Sequence, residues 1–477
     1  MAKGSLRNNF TLYPRSKPLA NAYNLNLSDR SQEGLFYGKK KRRGNPDHRR
    51  ERNMPAVESE AIAAHLEELV NPIVHNQMAY YRELGLRERI LSLPLMVAAV
   101  LTLLWRQVPS VNELSRMLSR ENLLWCKAVK VSQQALSKRF LEFPSVMFER
   151  VFLELLPKLQ LRWQQREKRP LPVSLKWAKQ RFEHIWVVDG SSLEALFRHL
   201  KSLQEQPASL AGKIYTIIDL LTHLPVSIRF EENPYCADTT IWPWLHNQVK
   251  AGVLLIFDRG FYDFTEFANL VSQGAHWLTR LKKASYIVLK THTQTADVVD
   301  QQIRLGHPRG KAKPIVARLV SIRHGNTWYR YITSVLDPTQ LPPYVVADLY
   351  GRRWQIETAF NLVKRLLGLS YIWTGSINGI KLQIWATWLF YALLLDLADA
   401  VAEALEVPTE YISIEMLFRG FYHFHQAQAQ GQTSDPIAYF SAPENRDLNI
   451  VKLIPKSRRK PPLDLSPYPT LTKPLAS

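Results

Sequence analysis

The chain has 477 residues, 46% of them hydrophobic, which is enough to bury substantial cores in roughly two to four domains. Lys and Arg number 62 against 42 Asp and Glu, so the formal net charge is +20. Such an excess favours a polyanionic partner, either nucleic acid or an anionic membrane surface. The two cysteines, Cys126 and Cys236, match no metal-binding spacing. Composition therefore argues against a disulfide framework and a structural zinc site, and it fits a reducing cytosol.

Membrane association is the weaker of the two polyanion hypotheses. The N-terminus lacks the apolar core of a signal peptide. The longest apolar runs, 93–105 and 384–395, are shorter than a bilayer span and are typical of buried helices. We therefore expect a cytoplasmic, nucleoid-associated protein with no membrane partner.

The N-terminal third divides into a tail and a helical region. Residues 1–57 are polar and basic and predict a disordered tail whose cations suit non-specific phosphate contact. The pattern is helical across 58–170. Within it, Pro109–Leu118 and Ser132–Phe140 could form a helix-turn-helix. Its second helix would turn four residues toward DNA: Gln133, Gln134, Ser137 and Lys138. The long connection between the two segments leaves an ordinary helical hairpin equally open.

After Pro170 and Pro172 the hydrophobic period becomes that of strands. A turn separates the second and third of these segments, which predicts a hairpin. The segments are His184–Asp189, Lys213–Leu220, Pro225–Phe230 and Val253–Phe257. A helix is predicted around Thr239–Lys250. This order predicts an α/β fold with a mixed sheet and helices packed on it.

The stretch from 265 to 345 is too long for a simple connection and is rich in strand-like segments. They are Tyr286–Leu289, Pro314–Ile322 and Trp328–Thr333. We expect a β-rich domain inserted at 265–345. Helices are predicted at 376–435, and a loose tail at 436–477.

One short stretch after this insertion carries an unusual arrangement of charges. At about 100° per residue, Tyr350, Arg353, Glu357 and Lys364 share one stripe of a helix. A separate apolar side suited to packing is formed by Ile356, Ala359, Val363 and Leu366. Charged stripes are usually solvated faces. Four matched positions favour a functional face that presents a carboxylate between cations.

Two further carboxylates, Asp189 and Asp258, each end a buried apolar strand, where a charge is costly unless it is paired or bound to metal. If the two strands are neighbours and the Glu357 helix crosses them, the three carboxylates converge. Such oxygen ligands suit two Mg²⁺ or Mn²⁺ ions about 4 Å apart, the arrangement that supports in-line phosphodiester displacement. Considered singly, either Asp is more often a turn residue, and Asp219 and Asp238 are comparable candidates.

The spacing of the charged stripe, with two, three and six residues between successive members, resembles the C-terminal motif of insertion-sequence-four type transposases of the DDE superfamily. Trp354 and the contexts Asp189-Gly-Ser and Asp258-Arg-Gly-Phe-Tyr are also similar. The resemblance covers about residues 180–375. It implies an RNase H-like catalytic core in 180–264 and 346–375, interrupted by the β-rich insertion, with a helical DNA-binding region before it.

The resemblance also implies roles for individual residues. Asp189, Asp258 and Glu357 would bind the metal ions and catalyse. Contacts to the phosphates and bases of the cut DNA would come from Tyr350, Arg353, Trp354, Lys364 and Arg259. Trp328 or Tyr329 would stack on a flipped base, although ordinary strand packing is the commoner role of such residues.

We therefore predict a bacterial or archaeal cut-and-paste transposase. It would act as a homodimer on double-stranded DNA, binding the element's terminal inverted repeats, passing through a hairpin intermediate and joining the freed end to target DNA. No nucleoside triphosphate is implied. The alternatives are a domesticated endonuclease with the same core and a DNA-binding protein that does not catalyse.

Overall fold

The computed structural model of the chain describes residues 59–86, 89–193, 212–307, 309, 313–368 and 376–452. The tail predicted at 1–57 and the Pro- and Lys-rich end from Pro455 lie outside these residues. Residues 436–452, predicted as part of a loose tail, contain a helix and a 3₁₀ turn. They are ordered because the Phe440 ring packs against Phe421 and Phe424.

The N-terminal region is helical, as predicted. Its helices are α1 (Glu60–Asn76), α2 (Met78–Glu83), α3 (Leu93–Trp105), α4 (Val111–Leu118), α5 (Gln133–Glu142), α6 (Ser145–Gln165) and α7 (Val173–Lys179). Ser110 and Ser132 cap α4 and α5 by accepting hydrogen bonds from backbone N–H groups in the first turn. The two helices pack together. On α5, the side chains of Gln133, Gln134 and Lys138 are exposed, whereas Ser137 is half-buried.

The strands of the described residues form one nine-stranded mixed sheet. In chain order the strands are β1 (His184–Ser192), β2 (Lys213–Asp219), β3 (Pro225–Glu231), β4 (Val253–Phe257), β5 (His276–Arg280), β6 (Tyr286–Gln294), β7 (Val298–Leu305), β8 (Ile315–His324) and β9 (Thr327–Thr333). Their order across the sheet is β3-β2-β1-β4-β5-β9-β8-β7-β6. β1, β4 and β5 are parallel, and β2 and β3 form the predicted hairpin. The strands of the 265–345 stretch therefore extend the same sheet.

Each face of the sheet is covered by a different set of helices. One face packs on α8 (Trp242–His246) and α9 (Phe264–Ser272), where Trp242, Phe257, Phe267 and Trp277 form an aromatic core. The helix predicted at Thr239–Lys250 is thus shorter and begins with a 3₁₀ turn, Asp238–Ile241.

The opposite face is covered by three later α-helices that contact its strands, and two further helices pack on the third of these. They are α10 (Pro343–Arg352), α11 (Trp354–Asn361), a π-helical turn (Leu362–Leu366), α12 (Ile377–Leu405), α13 (Ile414–Ala429) and α14 (Pro436–Ser441). Ile356, Ala359 and Val363 are buried on this face, as the apolar stripe predicted.

Helix α12 is long and apolar enough to cross a membrane, but its most apolar stretch of 18 residues is buried within the protein. It packs against α6 of the N-terminal region, with the Phe152 and Trp385 rings 5.5 Å apart. Beside this contact, three arginines of 162–169 pair with two nearly buried carboxylates, Asp396 and Asp399. The N-terminal helices and the C-terminal helix therefore share one core.

A candidate active site at the ends of parallel strands

Asp189 and Asp258 lie side by side at the same end of the sheet. β1 and β4 are parallel with Val188 opposite Phe257, and each Asp is the next residue along its strand. Side chains two residues apart on a strand point to the same face of the sheet. Asp189 and Asp258 therefore point to the same face as Val187 and Ile256, which is the face that carries α10 and α11. Adjacent parallel strands thus bring together two carboxylates that are 69 residues apart in the chain.

The charged stripe crosses above these strands on a helix with two irregularities. Arg353 lies at the turn between α10 and α11 but keeps helical backbone angles, φ −49° and ψ −32°. Its Nη1 is 2.7 Å from Asp189 Oδ2, and its Nη2 is 3.1 Å from Glu357 Oε1. The guanidinium therefore bridges two of the three candidate catalytic carboxylates.

The electrostatics of Asp189 show that this place favours cations. Burial raises the pKa of the Asp189 carboxyl to about 6, and the Asp258 and Glu357 carboxylates add to the increase. Arg353 and the backbone N–H of Gly190 act in the opposite direction. For Arg353, burial lowers the pKa, but the surrounding acids outweigh it and the net pKa is raised. The carboxylates are therefore close enough to raise one another's pKa, and Arg353 offsets part of that repulsion.

Tyr350 and Tyr331 form the wall beside the carboxylates. Tyr350 is 7% exposed, and its ring centroid is 5.3 Å from that of Tyr331 on β9. Burial raises the pKa of the Tyr350 phenol, with Arg353 and Arg280 opposing the shift. Both phenols therefore stay protonated at neutral pH and can donate hydrogen bonds.

Arg280 is a cation of this site that sequence reasoning missed. Ile256 on β4 is opposite Leu278 on β5. Asp258 and Arg280 each lie two residues further along, so they are side by side at the same end of the two strands. Arg280 is opposite Tyr331 on β9. Arg280 could have been found in the sequence as a charged residue at the end of an apolar segment, which is the pattern that identified Asp258.

Lys364 closes the site from the π-helical turn. Its Nζ donates to Ser191 Oγ and, at 2.6 Å, to the Ser192 carbonyl oxygen. Both acceptors lie at the end of β1, two and three residues after Asp189. Lys364 thus ties the helix to the strand that carries the first carboxylate.

The remaining predicted DNA contacts lie further out. Trp354 is 61% exposed, with the Arg353 guanidinium 5.4 Å from its ring, and Arg259 is exposed after Asp258. Trp328 and Tyr329 lie on β9, two or three residues before Tyr331; Trp328 is 39% exposed, and Tyr329 packs under the Arg280 guanidinium. The structure thus brings Tyr350, Arg353 and the three carboxylates together, and Trp354 and Arg259 stand at the rim.

Oxygen donors of this kind suit Mg²⁺ or Mn²⁺. However, the described part of the chain contains no group of three His, Cys, Asp or Glu side chains already close enough to hold a metal ion. The Arg353 guanidinium instead supplies the positive charge between Asp189 and Glu357. The donor chemistry of the three carboxylates fits a divalent ion.

Comparison with known proteins agrees with this geometry. Residues 184–395, which include all three carboxylates and the charged stripe, match the family described as Transposase DDE domain. This segment is therefore similar to a transposase DDE domain. The resemblance inferred from the charged stripe is thereby confirmed.

The DDE segment is also similar to individual transposases of insertion sequences. It is 25% identical over 203 residues to transposase InsG of element IS4 from Escherichia coli, covering 41% of this chain and 46% of that protein. It is 24% identical to a Synechocystis protein named as a transposase of element IS4SA, covering 38% of this chain and 52% of that protein. The chain therefore spans about half the length of the curated relatives it matches.

Among solved structures, the chain is similar to a piggyBac transposase in a synaptic complex with hairpin DNA. The TM-score is 0.34 and the identity 12%, with 86% of this chain and 89% of that chain covered. A likeness of this size carries no argument about function.

Proposed function

We propose that the chain is a metal-dependent cut-and-paste transposase whose catalytic residues are Asp189, Asp258 and Glu357. It would cleave double-stranded DNA at the terminal inverted repeats of its element and join the freed 3′-hydroxyl to target DNA. The observation that carries the proposal is that neighbouring parallel strands bring Asp189 and Asp258 together, while Arg353 joins Asp189 to Glu357 on the helix above them.

The carboxylates would hold two Mg²⁺ or Mn²⁺ ions, which supply activation of a water or a 3′-hydroxyl and stabilisation of the leaving oxygen. Asp189 and Asp258 are fixed to the sheet, whereas Glu357 is on the helix, so the set combines rigid and adjustable ligands. An RNase H-like core is consistent with the antiparallel hairpin followed by parallel strands, β2 and β3 beside β1, β4 and β5.

Arg353 would exchange partners when DNA and metal bind. Arg353 is 6% exposed, and its guanidinium donates hydrogen bonds to Asp189 and Glu357. Its Nε has no hydrogen-bond partner among the described residues. Asp189 and Glu357 would hold a divalent ion in place of the guanidinium charge, and Arg353 would then be able to bind a DNA phosphate bidentately. Metal binding and DNA binding would therefore be coupled through the Arg353 side chain.

The other stripe residues would hold the DNA end. Tyr350 can donate from its phenol, Lys364 supplies charge beside β1, and Trp354 presents an exposed ring on which a base can stack. Tyr331 and Arg280 extend this surface along the sheet. We propose that Trp328 or Tyr329 serves a flipped base, that cleavage passes through a hairpin, and that two copies act on paired ends.

The experiment is Mg²⁺-dependent cleavage of a duplex taken from the DNA that flanks the coding region. Asp258→Asn and Glu357→Gln are expected to abolish cleavage and to retain binding of the duplex. The matched control is Glu415→Gln on α13, an exposed Glu with an i,i+4 arginine partner, which is expected to cleave as the wild type does. A denaturing gel would separate a hairpin product from a simple nick.

The outcomes separate the proposal from its alternatives. Equal activity in the wild type and in both acidic variants would refute catalysis at this site. Duplex binding by the wild type without cleavage at any Mg²⁺ or Mn²⁺ concentration would favour a DNA-binding protein that does not catalyse. Cleavage without joining to target DNA would favour an endonuclease.

A further inference from the structure

A fourth carboxylate, that of Asp238, lies directly against the turn that carries Asp258. The 3₁₀ turn Asp238–Ile241 packs on a second 3₁₀ turn, Arg259–Phe261. A Cβ built on Gly260 would collide with Asp238 Oδ2. The carboxylate therefore occupies the space that a side chain at 260 would need, so the glycine is required by close approach.

Lys213 holds this carboxylate in place. Its Nζ is 2.5 Å from Asp238 Oδ1 and donates at 3.2 Å to the Cys236 carbonyl oxygen. The Lys213 side chain is 14% exposed, so water screens the pair only weakly. Tyr215 braces the same loop, since its hydroxyl is 3.2 Å from Cys236 Sγ and 3.4 Å from the Ala237 carbonyl oxygen.

This pair connects the turn to the sheet beside the active site. Lys213 lies on β2 opposite Ser192, whose carbonyl oxygen accepts a hydrogen bond from Lys364. Tyr215 lies opposite Gly190, the neighbour of Asp189. The strand ends that carry Asp189 are therefore linked, through Lys213 and Asp238, to the turn after Asp258.

Asp258 depends on such support more than the other carboxylates do. Asp189 and Glu357 are both ion-paired to Arg353. The Asp258 side chain makes no hydrogen bond or ion pair with any residue in the described ranges. Its position is thus determined by the backbone of the turn, and that backbone rests on Asp238.

We propose that Asp238 is a positioning residue, which Lys213 fixes against Gly260 so that Asp258 stays level with Asp189. Asp238 acts through the turn and contacts neither DNA nor the reacting atoms. The inference rests on the proposed function, because it needs Asp258 to be a working carboxylate. In the sequence, Asp238 resembles an ordinary loop acid, and only the structure shows its contacts with Gly260 and Lys213.

The test compares Asp238→Asn, Lys213→Met and the double variant with Asp258→Asn in the cleavage assay. Asp238→Asn keeps the size of the side chain and removes the charge that Lys213 holds. It is expected to lower the single-turnover cleavage rate at least tenfold and to raise the Mg²⁺ concentration for half-maximal cleavage severalfold. The Kd for the DNA duplex should stay within twofold of the wild type, because no DNA contact is lost.

Non-additivity is the readout that a general loss of stability would not give. Lys213→Met should reproduce the Asp238→Asn defect, and the double variant should be no worse than either single variant, since all three break one contact. Lys213→Arg should restore the rate by restoring the ion pair. The matched control is Asp297→Asn, which breaks an exposed pair with Arg323 at the far strands and should leave rate and metal dependence unchanged.

Each result decides between the two proposals. Wild-type rate and metal dependence in Asp238→Asn, with Asp258→Asn inactive, would overturn the positioning role and leave the proposed function intact. An active Asp258→Asn would overturn the proposed function itself. If Asp238→Asn melts at a markedly lower temperature, the Lys213→Met and Lys213→Arg pair decides, and a defect that Arg does not repair would overturn the inference.

Discussion

Replacing Asp189 with Asn is expected to raise the melting temperature of the metal-free chain above pH 7, although it removes a proposed catalytic group. The pKa of Asp189 is about 6 in the folded chain, against an ordinary value of 3.8, because burial disfavours the charge. The folded chain therefore holds the proton more tightly than the unfolded chain, and its stability falls as the pH rises from the lower of these values through the higher.

The size of the effect follows from the difference between the two pKa values. At about 1.4 kcal/mol per pKa unit, ionised Asp189 lowers the free energy of unfolding by about 3 kcal/mol above pH 7 and by about 1 kcal/mol at pH 4.5. The side chain is 16% exposed, so screening by water is limited. Asn keeps an oxygen that can accept from Arg353 Nη1 and from the Gly190 N–H.

The assay is thermal unfolding in chelator at pH 4.5 and pH 8. We expect Asp189→Asn to melt higher at pH 8 by on the order of 5 °C, with a smaller gain at pH 4.5. Asp300→Asn is the matched control, because Asp300 and Arg318 form a fully buried pair with N–O distances of 2.6 and 2.7 Å. It should destabilise by about 3–5 kcal/mol, since it leaves a buried guanidinium without its counter-charge.

A lower or unchanged melting temperature for Asp189→Asn at pH 8 would refute this reasoning. A gain of the same size at both pH values would also refute it, because the effect would then come from packing. The expected result would mean that the site is maintained at a cost in stability, as many functional sites are.

Three further predictions follow from the same geometry. Gly190→Ala should destabilise by about 1–3 kcal/mol, measured by thermal unfolding, because the new Cβ would lie 2.5 Å from a carbon of the Tyr215 ring. Trp354→Ala should leave the melting temperature unchanged and weaken binding of the cut duplex by about tenfold, because one base loses its stacking partner. The control Tyr422→Ala removes a ring on α13 that is 64% exposed, and it should not affect binding. Arg353→Ala should lower the slope of log Kd against log salt by about one and strengthen Mn²⁺ binding to the DNA-free chain, measured by electron paramagnetic resonance; weaker Mn²⁺ binding would contradict the partner exchange.

The sequence predicts strands of very different burial, from β4, which is buried throughout, to β6, which is largely exposed. Val253–Phe257 is apolar throughout and is found as β4 with the same bounds. β5 and β7 were not predicted, because His276, Gln301 and Gln302 interrupt their apolar patterns. β5 joins β4 to β9 and β7 joins β8 to β6, so the continuous nine-stranded arrangement could not be inferred.

The candidate site shows a similar division. The order and spacing of Asp189, Asp258 and Glu357 could be recognised because they are properties of the linear sequence. The bridge that Arg353 makes to Asp189 spans 164 residues and depends on how α11 crosses β1, which no local pattern records. Likewise, Arg280 joins the site only through the register of β4 and β5. The sequence therefore predicted the three candidate carboxylates and the charged stripe, but neither Arg280 nor the pairing of Arg353 with Asp189.

The position of helix α12 late in the chain also affects how the protein folds during its synthesis. The N-terminal helices emerge from the ribosome more than 200 residues before Ile377–Leu405, against which α6 packs. Until that helix is synthesised, the apolar side of α6, including Phe152 and Leu155, has no cover from it and is a target for chaperones. A nascent chain that stops short of α12, or a truncated fragment such as 1–375, is therefore expected to aggregate and not to persist as an independent DNA-binding domain.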